Sequence, residues 1–394
     1  MRLSAILCIA SALRLAAADA TPDAAVNAVN GFAPKLHREL PAQGNTLTSP
    51  WSLQSALAMV YAGANRPVAD EMSAALCLPS PTPDLHQSFG ALRKSLLTVP
   101  DGAPPLVIRT ANRLFVQQGE SLGKPWLETI RTHYAADAES LDFAKRAKAA
   151  EKSINSWVKR ETNGMIPELV RDLDRETALV LANAVCLDLS WEERFTASLT
   201  KPLPFHLSAT QTKTVPVMFK QHRMRYAKRD GFQIAALPYA GGTLQFVALV
   251  PDAIDGLKDL ETKLTPDILT GCAKLEPAEV RLWLPRIKLT CETKNLPETL
   301  KRMGMRKAFS MGGFDAITAE IGISDVIHKT FIELDEDGTK AAAASGVVMA
   351  KNGVPHEIPH QKVRADRPFL FMIQHIPTGA CVFLGRCADP SQTR

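Results

Sequence analysis

Between residues 24 and 40, Val26, Val29, Phe32, Leu36 and Leu40 recur at steps of three and four, the period of an amphipathic helix. A second helix is predicted over residues 45–64, where Trp51, Leu53, Leu57, Met59 and Val60 crowd the chain too densely for one apolar face. Such a helix is buried all round, and Ser52 and Ser55, three apart in it, become buried hydroxyls in need of partners. The same periodicity predicts helices over residues 67–77, 84–98 and 124–135. Residues 144–161 read as a charged amphipathic helix with Ile154, Trp157 and Val158 inward, ended by Thr162-Asn163-Gly164.

Strand patterns interleave with these helices. One is predicted over residues 106–117, and residues 178–187 form a near-continuous apolar run, the mark of a strand covered on both faces. Asn183 interrupts that run, and a buried amide without a partner costs about 1–3 kcal/mol, so it needs company. Further strands are expected at residues 203–207, 223–227, 232–238 and 244–250, a helical pattern at 256–274, a long strand at 279–292, a helix at 297–303 and a strand at 325–334. Helices dominate the first half and strands the second, without an internal repeat or a Pro/Gly linker. The expectation is one α+β domain spanning residues 21–394.

One stretch does not fit ordinary packing logic. The strand at 325–334 runs into Glu336-Asp337-Gly338-Thr339-Lys340-Ala341-Ala342-Ala343-Ala344-Ser345, in which a Gly-Thr step precedes a run of alanines. Read alone it is a short alanine helix or a tolerant loop. The sharper alternative is a segment that must later fit where large side chains cannot.

Composition narrows the function classes. Hydrophobic residues make up 46% of 394 positions, enough for a large core. Lys+Arg exceed Asp+Glu by only 46 to 41, without dense basic blocks, which argues against nucleic-acid binding and leaves polyanion binding without support. Residues 1–20 have a charged start, an apolar middle broken by Arg14 and a small-residue end at Ala20, so a cleaved signal peptide and a secreted product (periplasmic in a bacterium) are expected. No later stretch predicts a membrane span. The six cysteines after the leader read as buried thiols. Cys381 and Cys387 on one extended strand would stand roughly 20 Å apart, beyond disulfide reach unless the chain turned at Gly385.

Catalytic motifs are missing. The string His356-Glu357-Ile358-Pro359-His360 has the letters of a zinc-protease helix, but Pro359 inside it and Pro355 before it oppose that helix by about 3 kcal/mol, so no metal is expected. No nucleophile elbow, Walker loop or dinucleotide fingerprint occurs, and no cofactor or enzymatic activity is expected.

Several ordered blocks together resemble the serpins, specifically their inhibitory members. These are the hinge from Glu336 to Ser345, Ser49-Pro50-Trp51-Ser52-Leu53, Ile154-Asn155-Ser156-Trp157-Val158 with Thr162-Asn163-Gly164, Leu181-Ala182-Asn183-Ala184 with Trp191 and Phe195, Leu284-Pro285-Arg286, and Arg367-Pro368-Phe369-Leu370-Phe371 with Gly385-Arg386. The resemblance implies three β-sheets, about nine helices and an exposed reactive-centre loop over about residues 337–360. It further implies that Ser52, Ser55, Asn183 and His328 meet beneath the main sheet as its shutter, and that Trp191 marks the breach where the sheet opens.

A function is likewise implied by the resemblance. A target serine protease cleaves the loop, stays attached as an acyl-enzyme, and is carried along as Glu336, Gly338, Thr339 and Ala341, Ala342, Ala343, Ala344 lead the loop into the sheet. The inhibitor is expected to be a monomer with no membrane or nucleic-acid partner. Family spacing from the hinge places the scissile bond at Asn352-Gly353; Lys351-Asn352 would suit a trypsin-like pocket, and Met349-Ala350 an elastase-like one. Lys351 is the one basic residue between Lys340 and Lys362 and is favoured. Inhibition of an Asn-specific, elastase-like or cysteine protease, or a non-inhibitory carrier or chaperone role, are the alternatives.

Overall fold

Ser49 caps the second helix by accepting a hydrogen bond from the Ser52 N–H, and Pro50 follows at the first helical position, so this helix begins at residue 50 and not at 45. The computed structural model describes residues 20–80, 82–102, 107–318, 320–339 and 360–392. Nine α-helices lie among them: α1 (Asp23–Glu39), α2 (Pro50–Tyr61), α3 (Arg66–Leu76), α4 (Pro83–Leu97), α5 (Lys124–Tyr134), α6 (Phe143–Glu161), α7 (Leu257–Lys263), α8 (Pro266–Gly271) and α9 (Leu296–Arg302). The strands are β1 (Thr46–Thr48), β2 (Val107–Gln117), β3 (Ala138–Leu141), β4 (Leu179–Ser190), β5 (Lys201–His206), β6 (Thr212–Arg229), β7 (Phe232–Pro238), β8 (Leu244–Pro251), β9 (Pro277–Pro285), β10 (Ile287–Glu292), β11 (Asp325–Leu334), β12 (Gly338–Thr339), β13 (Gln361–Arg364), β14 (Phe369–His375) and β15 (Cys381–Cys387).

One sheet has six strands in the order β10-β11-β12-β4-β2-β3, and β11 also pairs directly with β4. Its central strand is covered on both faces, as the unbroken apolar run required. Leu181, Val185 and Leu187 join the core that holds α1 and α2, whereas Val180, Ala182, Ala184 and Cys186 pack against α6. Phe143, Ile154, Trp157 and Val158 are the side chains α6 lays on the sheet, and Trp157 meets Phe115 of β2 edge to face at 5.4 Å. Burying these four contributes about 6–12 kcal/mol of transfer free energy, an upper figure because the unfolded chain is itself partly compact. Asn163 and Gly164 then take positive φ and end the turn, matching the stop signal.

The other sheet runs β1-β15-β14-β8-β7-β6-β9-β13, with β5 also paired to β6. Where three sheets were expected, two hydrogen-bonded networks form, because the 18 residues of β6 serve two of them. β6 pairs with β5 and β9 along its first part and with β7 from Arg225 to Arg229. Only residues 223–227 of it carried a strand pattern, since its leading part is largely exposed and polar.

Prolines account for two further differences. The predicted strand over 279–292 is two strands in two sheets, parted after Pro285, with Arg286 left at the crossing. The predicted helix over 256–274 breaks before Pro266, where Thr265 is extended and its hydroxyl caps α8. Cys381 and Cys387 sit at opposite ends of one continuous strand and carry free thiols. Gly385 between them makes no turn; a Cβ there would lie 2.4 Å from the Phe371 ring, so glycine is required by close packing.

Candidate functional site

The parallel ladder between β4 and β11 runs from Val180 opposite Asp325 to Cys186 opposite Phe331, and there it stops. Beyond that point the two strands part, and the gap is filled by the chain that has just left β11. Gly338 and Thr339, forming β12, pair antiparallel with Ser190 and Leu189 of β4, and Thr339 pairs with Leu334 of β11. Gly338 has φ +154°, and a Cβ on it would fall 2.0 Å from the Leu189 carbonyl oxygen, so no other residue fits. Thr339 is fully buried, with its Oγ1 2.7 Å from the Tyr239 hydroxyl.

Trp191, at the end of β4, organises the residues around this entry. Its indole stacks on Tyr239 at 4.6 Å and 4° and meets Phe195 and Phe246 edge to face. Its Nε1 donates to the Asp335 carbonyl at 2.8 Å, its backbone N–H to the Asp337 carbonyl at 3.0 Å, and the Phe195 N–H to the Glu336 carbonyl at 2.9 Å. The turn from β11 into β12 is therefore held by three donors on one side. On the other, Arg286 donates through Nε and Nη2 to the Glu336 carboxylate, which also accepts from the Thr200 hydroxyl at 2.5 Å. Burial pushes the Glu336 pKa up, but the hydrogen bonds from Arg286 and Thr200 outweigh it, and the net shift is downward. Arg194 pairs with Asp337 at 3.1 Å.

A second polar group lies under the middle of the sheet, where β4 and β11 are still joined. His328 stands directly opposite Asn183 across that ladder. The Ser49 backbone N–H donates to His328 Nε2 at 2.9 Å, so Nε2 is bare and Nδ1 carries the proton, which it donates to Asn183 Oδ1 at 2.5 Å. The Asn183 amide in turn donates to the Ser52 hydroxyl at 2.8 Å and to the Ser52 carbonyl at 3.0 Å. It also contacts Asn112 Oδ1 on β2. Burial drives the His328 pKa down to about 3, which keeps the ring neutral and this donor order intact.

Of the residues singled out in the sequence, Ser52, Asn183 and His328 are thus brought together. Ser55 is not bonded to them: its hydroxyl donates back to the Trp51 carbonyl at 2.7 Å, four residues earlier on α2. Glu336, Gly338, Thr339 and Trp191 converge at the entry to the sheet. Ala341, Ala342, Ala343, Ala344, Lys351, Asn352 and Gly353 lie outside the described residues, as do residues 1–19. His360 is described and lies 2.8 Å from the Gln221 amide nitrogen. Among the described residues no His, Cys, Asp and Glu side chains group to hold a metal ion, and no helix is long and apolar enough to cross a membrane.

Sequence reasoning missed Arg286, Arg194, Tyr239, Asn112 and the Ser49 N–H. No local signal marked Asn112, because Arg109, Thr110 and Arg113 on the same strand are polar as well. Pro285 before Arg286 was no firm signal either, because prolines also sit inside β5 and β6.

The chain matches the family described as Serpin (serine protease inhibitor) over residues 27–390. It is 37% identical over 362 residues to the leukocyte elastase inhibitor of Bos taurus, covering 88% of this chain and 93% of that one. A serpin-like protein of Thermococcus kodakarensis is 35% identical over 369 residues, covering 93% of this chain and 85% of the other. Among solved structures, a highly specific serpin of the insect Tenebrio molitor superposes with a TM-score of 0.82 at 26% identity, over 92% of this chain and 97% of that one. Tengpin, a thermophilic serpin in the native state, superposes with a TM-score of 0.81 at 28% identity, over 92% and 93% of the two chains.

Proposed function

Because the chain belongs to the serpin family of serine protease inhibitors, we propose that it is a suicide-substrate trap for a serine endopeptidase, with no turnover of its own. Residues 337–360 act as the reactive-centre loop. The protease hydroxyl attacks the carbonyl carbon of the scissile residue, the peptide C–N bond breaks, and the new amine leaves with the proton. The loop, still esterified to the protease, then enters the six-stranded sheet between β4 and β11 before water completes the hydrolysis.

The observation that carries this reading is the seat of β12. Gly338 and Thr339 already lie between β4 and β11 in antiparallel register with β4, so continued insertion repeats a pairing that has begun. Ala341 to Ala344 would follow with side chains small enough for both faces of a packed sheet. Some ten net backbone hydrogen bonds at about 1 kcal/mol each give on the order of 10 kcal/mol. That is comparable with the roughly 5–15 kcal/mol stability of an ordinary domain, enough to distort an attached protease. Ser52, Asn183 and His328 act as the shutter: one amide-imidazole bond joins the strands that must part, and polar partners re-form more readily than interlocked aliphatics.

Lys351-Asn352 is the favoured scissile bond, with a trypsin-like protease as the covalent partner of a monomeric inhibitor. The likeness to leukocyte elastase inhibitors favours Met349-Ala350 and an elastase-like protease as the second reading. Export rests on residues 1–20 alone, and these relatives lend it no support. Incubation of the full chain with trypsin-, elastase- and legumain-like proteases tests the function. An SDS-resistant adduct with one of them is expected, and N-terminal sequencing of the released fragment identifies the bond. Cleavage by each without any adduct would refute the trap.

A further inference from the structure

Three consecutive carboxylates, Asp335, Glu336 and Asp337, form the turn that leads β11 into β12. Two arginines face them: Arg286, between β9 and β10, holds Glu336, and Arg194, after β4, holds Asp337 at 3.1 Å. The other charged groups nearby are engaged elsewhere. Lys220 and His222 of β6 pair with Glu193, and Lys288 of β10 pairs with Glu333. That leaves Asp335 without a cationic partner among the described residues.

Asp335 nevertheless shapes the turn. Its Oδ1 accepts from the Asp337 N–H at 2.9 Å and from the Gly338 N–H at 3.2 Å, and its backbone N–H donates to the Gly338 carbonyl at 2.9 Å. This is the Asx-turn that a short carboxyl side chain provides. Its carbonyl accepts from the Trp191 indole, so the residue is fixed at the point where β12 enters the sheet. Partial burial raises the Asp335 pKa, the two N–H groups lower it, and the carboxylates of Asp337 and Glu336 raise it again; the net direction is upward.

We propose that Asp335 is a proton-controlled positioning residue of the hinge, which seats β12 more firmly between β4 and β11 as the solution turns from neutral to mildly acidic. With the hinge seated, a charged Asp335 is partly desolvated and repelled by two neighbours; with the hinge open, water reaches it. The seated turn therefore holds the proton more tightly than the open one, and proton uptake draws the hinge inward. A protonated carboxyl still accepts through its carbonyl oxygen, so both N–H bonds of the turn survive. The sign is opposite to that of His328, whose burial makes protonation unfavourable for the fold as a whole. One consequence rests on the loop insertion proposed above: a hinge that seats more readily gives insertion an advantage over hydrolysis of the acyl-enzyme.

Hydrogen exchange on the full chain tests the linkage, read as the protection of residues 335–339 relative to residues 180–186 of β4, a ratio that cancels acid loosening of the whole fold. In wild type the ratio should rise about threefold from pH 7 to pH 5. Asp335→Asn keeps an acceptor oxygen for the turn without a titrating proton, so its ratio should stand at the wild-type acid value throughout. Asp335→Ala, with no acceptor, should stay low at both. A wild-type ratio that stays flat or falls, or a rise that persists in Asp335→Asn, overturns the proposal. For the consequence, Asp335→Asn at pH 7.5 should give more adduct with trypsin, and less cleaved, unbound chain, than wild type. Equal partition with the exchange difference intact overturns the consequence alone. Adduct from neither chain counts against the trap, and the exchange ratio still decides the linkage.

Discussion

Arg286 holds Glu336 through contacts of 2.8–3.0 Å at the place where the chain crosses from one sheet to the other. Arg286 occupies the single position between β9 and β10, and Glu336 lies two residues before β12. One ion pair thus ties the entry of the hinge to the junction of both sheets.

Breaking that tie should loosen the hinge. Glu336→Lys removes the acceptor of Arg286 and Thr200 and sets two cations together. The Glu336 side chain is 10% exposed and that of Arg286 47%, so the penalty should fall below the 3–5 kcal/mol of a fully buried pair, at about 1–3 kcal/mol. A lowered urea midpoint and faster self-association on mild heating are expected. Arg286→Gln should move both in the same direction by less.

Gly338→Ala should eject β12 outright. The added methyl would meet the Leu189 carbonyl oxygen at 2.0 Å and the Ser190 Cα at 2.7 Å, both backbone atoms of β4 that cannot swing aside. Hydrogen exchange reads this at the Thr339 amide, which should lose protection while β4 and β11 keep theirs. Unchanged protection would mean that the sheet accommodates the methyl.

Acid should destabilise the native state through His328. Burial holds its pKa at about 3, against 6.5 in an exposed chain. The unfolded state therefore takes up the proton first as pH falls below 6.5, so the neutral ring's contribution is complete above 6.5 and is lost as pH falls toward 3. At pH 5 the loss is about 2 kcal/mol, from 1.36 kcal/mol per pH unit. His86 and His375 are pushed down to about 4 by burial and add to the wild-type slope with the same sign. The discriminating quantity is thus the difference between wild type and His328→Gln. Urea unfolding at pH 7.5 and pH 5 should show a decrement about 2 kcal/mol smaller in the variant.

How much of this was legible in the chain varied with the physics. The helix over residues 23–39 and the two-faced strand at Leu179–Ser190 could be read because apolar period reports burial directly. Asn183 betrayed itself as a polar residue inside an apolar run. Ser55 misled, because its hydroxyl is satisfied within α2 and needs no distant partner. Asn112 and Arg286 were hidden because their partners lie 71 and 50 residues away, and a local pattern carries no trace of such pairings. The break after Pro285 was hidden as well, since the apolar spacing continues across it from one sheet into the other.

Ala341→Asp should turn inhibitor into substrate. A carboxylate entering the closed sheet without a partner costs several kcal/mol, so insertion should lose its race with hydrolysis. Gel analysis should show cleaved chain in place of adduct, with the intact variant's urea midpoint unmoved. An unchanged adduct yield would count against insertion through this segment.

The most direct measurement compares the melting of the intact chain with that of the chain cleaved once between Met349 and Gly353. Insertion worth on the order of 10 kcal/mol, set against an unfolding entropy of about 2.1 cal/mol/K per residue, predicts that the cleaved form melts at least roughly 10 °C higher. Intact and cleaved chains that melt together would contradict the central claim that the strand beginning at Gly338 completes its entry into the sheet.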